Sequence, residues 1–475
     1  MADSARRHKK LHLSVLTLVM LLKAIFWMAL LPPLQIADEP SHFDDVQYRA
    51  EHGRAPAYDN HGLPIAPVMH PGASTEIRRL WYATIPKGYF HEQHKDTRLP
   101  DELRRLATTT SGRDTDGQAT AMFYPGLYYS AAVPFYRAFS DSSVVTRIMA
   151  IRCLSLLFGL CAVICTYLAA GLVIDDELLC FAAALLVVLQ PMESQMTVAV
   201  NNDAGVIGIA ALLFYLSLRG LASLPGWPSV GTVVGTALCA VALYFTKPTS
   251  YGILPAAALA GAAILVAHLH ERRVQLAVAA GTLVTLVGVI VFRHSLAGLF
   301  PGDASHPAAR GYSDFWTFLE SLDDTYVLYL VKSSWGQFGW LEYSMTTAWV
   351  TLLRGAFELV AVGTIVAFFS WTIRDRALPF WLHGGRFAFC IATSLIGIAF
   401  ILFVEHRFRL TGVVGVIQGR NFLFMLPAFA IWTTVGITAL VPQRLRGLSA
   451  ALLVTGALLF HLAAISTIAQ HHYAH

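Results

Sequence analysis

Two adjacent carboxylates, Asp38 and Glu39, stand in ADEPSHF directly after the first long apolar run of the chain. At a membrane boundary such a pair can act on a group held in the lipid, and partial burial and mutual repulsion tune its proton affinity. The same residues would also serve to keep a helix end solvated, so the pair gains meaning only in company. Lys247, in YFTKPTSY, lies between two apolar runs with almost no loop to hold it. A lysine in a span costs about 2.5 to 3.5 kcal/mol at its centre, so a retained one faces a cavity or a partner, unless it snorkels from a helix end. Pro248 breaks the helix just beyond and frees backbone amides near the same point, which suits a phosphate. Arg420, in VIQGRNFLFMLP, lies where a polar segment enters a later apolar run, shortly after Glu405, His406, Arg407 and Arg409. A guanidinium can grip phosphate oxygens in pairs, although interface arginines also anchor helices. Asn201, Asn202 and Asp203 form a polar turn that would equally cap the next helix. In KSSWGQFGWLEY, Trp335 and Trp340 accompany Gly336 and Gly339; such aromatics could stack on sugar faces or belong to an aromatic belt at the bilayer edge. His91 and His94 in HEQH, and the terminal HHYAH, lack a third ligand at metal spacing.

What must position these residues is a membrane-embedded scaffold. Of 475 residues, 56% are hydrophobic and only 13% are charged, against roughly 25% charged in a soluble domain. An ordinary water-soluble protein is excluded, and 28 Phe, 17 Tyr and 10 Trp exclude disorder. A net charge of +4 argues against nucleic acid as the main partner. The six cysteines all fall in apolar runs with no CxxC pair, so neither a disulfide framework nor a zinc site is indicated.

Apolar runs long enough to span occur at about Leu11–Leu34, Val144–Ile174, Leu178–Val198, Ala204–Leu218, Gly231–Phe245 and Ile253–Ala267. Others follow at about Val274–Val291, Val350–Ile373, Phe387–Val404, Phe422–Val441 and Leu448–Ile468. The reading is an all-α polytopic membrane protein with about 11 transmembrane helices, the fourth to sixth being short. Parity then puts the termini on opposite sides. Arg6, Arg7, Lys9 and Lys10 precede the first run, and Arg219, Arg272, Arg273, Arg374, Arg376, Arg386, Arg444 and Arg446 fall in loops on the same side. Basic short loops stay in the cytoplasm, which places the N-terminus inside, in a cytoplasmic (inner) membrane, and the C-terminus outside. The first run, about 24 residues, is too long for a signal-peptide core and reads as an anchor; cleavage after Ala37 would instead make Asp38 the N-terminus.

The expected organisation is a basic tail at 1–10, a first span at 11–36, an extracytoplasmic loop at 37–143 and spans two to seven at 144–296. A second outer loop follows at 297–348, then spans eight to eleven and an outer tail at 349–475. About 23 of the 64 charged residues lie between Asp38 and Asp116, so the polar side is the outer one. Loops this long in a compact membrane domain usually carry function. No internal repeat is visible. In SHFDDVQYRAEHG, Ser41 is placed to cap a helix, Phe43, Val46, Gln47 and Ala50 share a face and Gly53 ends it, predicting a short amphipathic helix on the membrane surface. YPGLYYSAAVPFYRAF, from Tyr124 to Phe139, is likewise suited to the interface.

The order of these motifs is more specific than any one of them. DEPSHF after span one resembles the Asp-Glu motif of the protein O-mannosyltransferases and other GT-C glycosyltransferases, and YPGLYY resembles their PPLYY segment with Gly126 in place of the second proline. NNDA, TKPT, WGQFGW and QGR resemble still more closely a family of polytopic bacterial membrane proteins regarded as GT-C-type and mostly without an assigned substrate. The likeness runs from about Leu11 to Val441. It implies a GT-C-like enzyme that moves a sugar from a polyprenyl-phosphate carrier to a hydroxyl of a glycan, a lipid-linked glycan or a protein, at the extracytoplasmic face among membrane lipids. By position Asp38 resembles the catalytic base, with Glu39 as its neighbour. Charge and depth assign Lys247 and Arg420 to the carrier phosphate, and His42, Tyr128, Asn202, Asp203, Trp335, Trp340 and Gln418 are the candidates for substrate contact. A carboxylate taking the acceptor proton as the sugar is displaced would invert the anomeric centre. Asp38 and Glu39 could ligate a divalent metal, but no complete oxygen shell is apparent and no cofactor is assigned. The competing readings are a transporter or flippase of lipid-linked glycans, which would more often show repeated halves, and an O-antigen ligase or polymerase, whose pyrophosphate-linked donor would ask for more basic residues.

Overall fold

The computed structural model describes residues 2–55, 108, 124–268, 315–339, 343–373, 384–410 and 417–473. In chain order its helices are α1 (Ala2–Leu30), α2 (Glu39–His52), α3 (Leu127–Arg137), α4 (Val144–Val173), α5 (Glu177–Val188), α6 (Pro191–Met196), α7 (Asn202–Ala222) and α8 (Val230–Tyr244). They continue as α9 (Leu254–Ala267), α10 (Phe315–Glu320), α11 (Asp324–Trp335), α12 (Thr347–Ile373), α13 (Gly384–Arg409), α14 (Leu426–Ala439) and α15 (Arg446–Tyr473). Short 3-10 turns, Pro248–Ile253 and Gly419–Met425, lead into α9 and α14. A two-residue antiparallel pair sets Gln337 opposite Ser344 and Phe338 opposite Tyr343.

The fold is all-α and polytopic. Among the described residues, 8 helical segments are long and apolar enough to cross a membrane, and Glu177–Val188 and Val230–Tyr244 are shorter apolar helices. These overlap the predicted runs with two differences: the run Leu178–Val198 holds only the short helix Glu177–Val188, and the fourth run, expected to be short, is the 21-residue helix Asn202–Ala222. The run Val274–Val291, with His91, His94 and Trp340, lies outside the described residues. Helix α8 leaves Val230, Val233, Val234, Leu238 and Val241 exposed. That stripe would be a liability in water and is what a lipid-facing helix presents. At the centre α4 packs along α7. A Cβ at Gly208 would come within 2.7 Å of the Phe158 carbonyl oxygen, so glycine is what lets the two backbones approach.

Helix α5 has only 12 residues, about 18 Å of helix against a hydrocarbon core of about 30 Å. The chain therefore leaves the helix early, and the stretch from Leu189 to Asp203 is buried throughout. Irregular backbone is tolerated in a membrane domain only inside protein, and several polar groups here meet partners from other parts of the chain. Lys23 of α1 pairs with Glu193 at 2.6 Å. Trp27 Nε1 donates to His461 Nε2, so His461 Nδ1 carries the proton and donates to the Leu189 carbonyl at 2.9 Å. Gln190 donates to the Ser334 carbonyl, Ser155 to the Ala199 carbonyl, and the Asn201 side chain, through Nδ2, to the Ala37 carbonyl. Asn201 also caps α7 by accepting from the Asp203 amide. The consequence is a rigid floor beneath Asn202 and Asp203.

Helix α2 differs from the expected surface helix. It starts at Glu39, with Asp38 rather than Ser41 at the N-cap and no side-chain cap, and with proline in its first turn. His42, Phe43, Asp44, Asp45, Val46, Gln47 and Tyr48 are all buried. Seven consecutive residues sweep almost two helical turns, so this stretch has no solvated face. Its Asp45–Arg49 pair, Phe43 against Tyr136, and Arg49 beneath the Tyr129 ring tie it to α3. Gly126, which stands where the resembling motif has proline, lies against Arg49: a Cβ there would meet its Nη1 at 2.9 Å.

Candidate active site

The turn that follows α1 carries two non-glycine residues with left-handed backbone, Leu34 at φ 65° and Asp38 at φ 62°. Such residues cost on the order of 1 to 3 kcal/mol each and persist where surrounding contacts fix them. Here Arg152 of α4 fixes them. Its Nη1 donates to the Leu31 carbonyl at 3.0 Å and its Nη2 to the Pro32 carbonyl at 3.3 Å. The same guanidinium grips Glu39 through Nε at 2.8 Å and Nη2 at 2.7 Å. The Leu34 and Val200 amides complete the Glu39 carboxylate at 2.7 and 3.0 Å. An ionised carboxylate has about four lone-pair sites, and all are taken. Glu39 and Arg152 are both 0% exposed. Glu39 therefore differs from the expected second catalytic carboxylate: its acceptor sites are all filled by the chain itself, and it holds the 31–38 turn against the 199–201 floor.

Asp38 faces the other way. Its side chain is 37% exposed, and it accepts from Arg420 Nη2 at 2.5 Å. Arg420, 10% exposed, lies 3.8 Å through Nε from Asp203 Oδ2, an electrostatic contact too long for a hydrogen bond. Asp203 Oδ1 accepts from Lys247 Nζ at 2.6 Å. Lys247, at the break between α8 and the 3-10 turn, also sits 5.4 Å from the centre of the Tyr124 ring. Four charges of alternating sign thus meet from four separate parts of the chain. Their balance is incomplete: among the described residues, Arg420 Nε and Nη1, Asp203 Oδ2 and Asn202 Oδ1 are buried with no hydrogen-bond partner. Buried orphans of both polarities at one place are what a polar ligand would complete.

His42 shares a helical turn with Asp38, whose carbonyl accepts from the His42 amide at 3.0 Å. Its ring lies between Tyr124 and Tyr129, and its Nδ1 is 2.8 Å from the Tyr129 hydroxyl. Burial drives the His42 pKa down to about 4 against the pull of Asp38, with Lys247 opposing a second charge. Burial alone would raise Asp38, but Arg420 reverses the sign, with Lys247 assisting, and holds its carboxyl below the usual range.

Of the sequence candidates, Asp38, His42, Asn202, Asp203, Lys247 and Arg420 are joined here by direct contacts or shared partners. Others are occupied elsewhere. The Tyr128 hydroxyl accepts from the Asn201 amide and donates to Ser155, so it supports the floor and offers a substrate nothing. Trp335 packs edge-on against Phe357 and Phe460, a core role. Gln418 starts the turn before Arg420, its carbonyl accepting from Asn421. Gly419 explains part of the QGR motif: any Cβ there would overlap the Ser334 backbone. Arg152 and Tyr129 were missed, Arg152 because an arginine eight residues inside a long apolar run reads as a helix-end anchor. Among the described residues no group of three or more His, Cys, Asp or Glu could hold a metal ion.

A family model described as predicted membrane protein (DUF2142) matches residues 21–466. The chain belongs to this family. Solved structures similar to this DUF2142 protein include ArnT from Cupriavidus metallidurans in the apo state, at 12% identity and a TM-score of 0.46, covering 99% of this chain and 78% of that one. ArnT bound to undecaprenyl phosphate matches at 12% identity and 0.46, covering 96% and 77%. The archaeal oligosaccharyltransferase AglB from Archaeoglobus fulgidus, in complex with an inhibitory peptide and a dolichol-phosphate, matches at 10% identity and 0.49, covering 98% of this chain and 56% of that one. No curated protein matches this DUF2142 chain.

Proposed function

We propose that this protein is an integral membrane glycosyltransferase that moves a sugar from a polyprenyl-phosphate carrier to a hydroxyl acceptor at the extracytoplasmic face. The observation that carries the reading is Arg420, buried with two unpartnered N–H groups beside Lys247 and paired to the one accessible carboxylate of the DE motif. Charged donors with unspent capacity at the edge of an apolar bundle suit a lipid-borne phosphate. The N-terminal basic tail is cytoplasmic on this reading, and the first long loop faces outward.

In the resting pair Asp38 is a weak base, because Arg420 holds its pKa down. A donor phosphate competes for Arg420 and Lys247. As Arg420 turns to it, Asp38 loses its main stabilising charge and its proton affinity rises. The acceptor oxygen then attacks the anomeric carbon. Its proton passes to Asp38, the bond from carbon to phosphate oxygen breaks, and the electron pair stays on the phosphate, where Arg420 and Lys247 stabilise it. One displacement inverts the anomeric centre. Asp38→Asn should cut transfer from a polyprenyl-phosphate sugar in membranes by about 10² to 10⁴-fold while insertion stays normal; full activity of that variant would sink the assignment.

A further inference from the structure

We propose that His42 is locked as the neutral tautomer with its proton on Nε2, and that it offers this N–H to an oxygen of the bound lipid phosphate as an uncharged third donor beside Arg420 and Lys247. The lock is a hydrogen-bond chain. Asn202 Nδ2 donates to the Tyr129 hydroxyl at 3.3 Å. The phenol oxygen accepts from Asn202, and the one phenol hydrogen, buried with no other acceptor among the described residues, is satisfied only by donating to His42 Nδ1, 2.8 Å away. An Nδ1 that accepts leaves the ring proton on Nε2. The ring plane is fixed as well, with centroids 5.9 Å from Tyr124 and 5.7 Å from Tyr129 at interplanar angles of 27° and 20°. Nδ1 is thus spent on protein, whereas Nε2 makes no hydrogen bond among the described residues.

Charge explains why a neutral donor fits. The charged groups around His42 are Asp38 and Asp203 against Lys247 and Arg420, and Tyr124 and Tyr129 are its titratable neighbours. Those four charges cancel. An imidazolium would compete with Arg420 for Asp38, whereas a neutral ring donates without disturbing that pair. Burial favours the neutral ring.

The ligand half of this inference rests on the phosphate reading above; the tautomer does not. The test uses full-length protein with 15N-labelled histidine in lipid nanodiscs, the His42 signals being assigned by their loss in His42→Gln. Expected without ligand are an unprotonated Nδ1, a protonated Nε2 and no titration between pH 8 and 5. Tyr129→Phe should release the lock and give mixed tautomers. A protonated Nδ1, or a ring titrating near its ordinary value, overturns the tautomer. Adding undecaprenyl phosphate should shift the Nε2–H signal. His42→Phe should bind that lipid about tenfold or more weakly, and His42→Gln, which keeps a donor, should recover part of the loss. Binding by the wild type with Nε2 unmoved overturns the ligand role. A wild type that fails to bind undecaprenyl phosphate overturns the phosphate reading instead, and the ligand-free spectra still decide the tautomer.

Discussion

Two carboxylate–guanidinium pairs begin at neighbouring residues and have opposite characters. Glu39 and Arg152 are wholly enclosed, and every acceptor site of Glu39 is filled. Asp38 and Arg420 share a single hydrogen bond, Asp38 is accessible, and two N–H groups of Arg420 are unused. A completed network has nothing left to offer a ligand and works as a fastener. An incomplete one costs desolvation without full return, which is the usual signature of a group kept for a partner. The same chemistry thus divides into structure and function by saturation.

Breaking the enclosed pair should have the largest effect. Arg152→Met leaves the Glu39 charge buried and unpaired, and is expected to destabilise the protein by about 3 to 5 kcal/mol; chemical unfolding in detergent measures it, and a loss below about 1 kcal/mol would mean the enclosure carries no load. Asp38→Asn should reverse the pattern. Stability should change by about 1 kcal/mol or less, while sugar transfer falls about 10² to 10⁴-fold. Lys247→Gln, which keeps a donor but not the charge beside the buried Asp203, should weaken binding of undecaprenyl phosphate about tenfold and also lower stability; unchanged affinity would reduce Lys247 to a structural partner of Asp203.

The smallest effect is on pH dependence. The folded-state pKa of His42, about 4, lies below its ordinary 6.5. The neutral ring's contribution is whole above pH 6.5 and is lost as pH falls from there toward 4, by up to about 3 kcal/mol. Asp38 is also lowered, so its contribution is present above the ordinary carboxylate value and goes only at still lower pH. Unfolding followed from pH 7 to 4.5 should therefore show a shallower decline in His42→Gln than in the wild type. Parallel curves would contradict a buried neutral ring.

Much of this was legible in the sequence. The apolar runs mark the helices because each must bury or expose about 20 residues to lipid. Asp38, Asp203, Lys247 and Arg420 stand out as charges beside apolar runs, and they do converge, Asp38 meeting Arg420 across the chain. The division of labour between Asp38 and Glu39 was not legible, because it depends on Arg152 and on two backbone amides, Leu34 in the adjoining left-handed turn and Val200 from a remote one. Burial of α2 was hidden for a similar reason: DDVQYR reads as a polar helix, and only its contacts with α3 show it enclosed. Trp335 shows the converse error, since an aromatic beside glycine carries no sign of whether its face meets a sugar or Phe357 and Phe460.

The central claim is that the open pair changes partner and the enclosed pair does not. A structure determined with undecaprenyl phosphate tests it directly. The expected result is a phosphate within about 3 Å of Arg420 and Lys247, with Asp38 separated from Arg420 while Glu39 still holds Arg152. A bound phosphate that leaves the Asp38–Arg420 contact intact, or that lies away from both cations, would contradict the account.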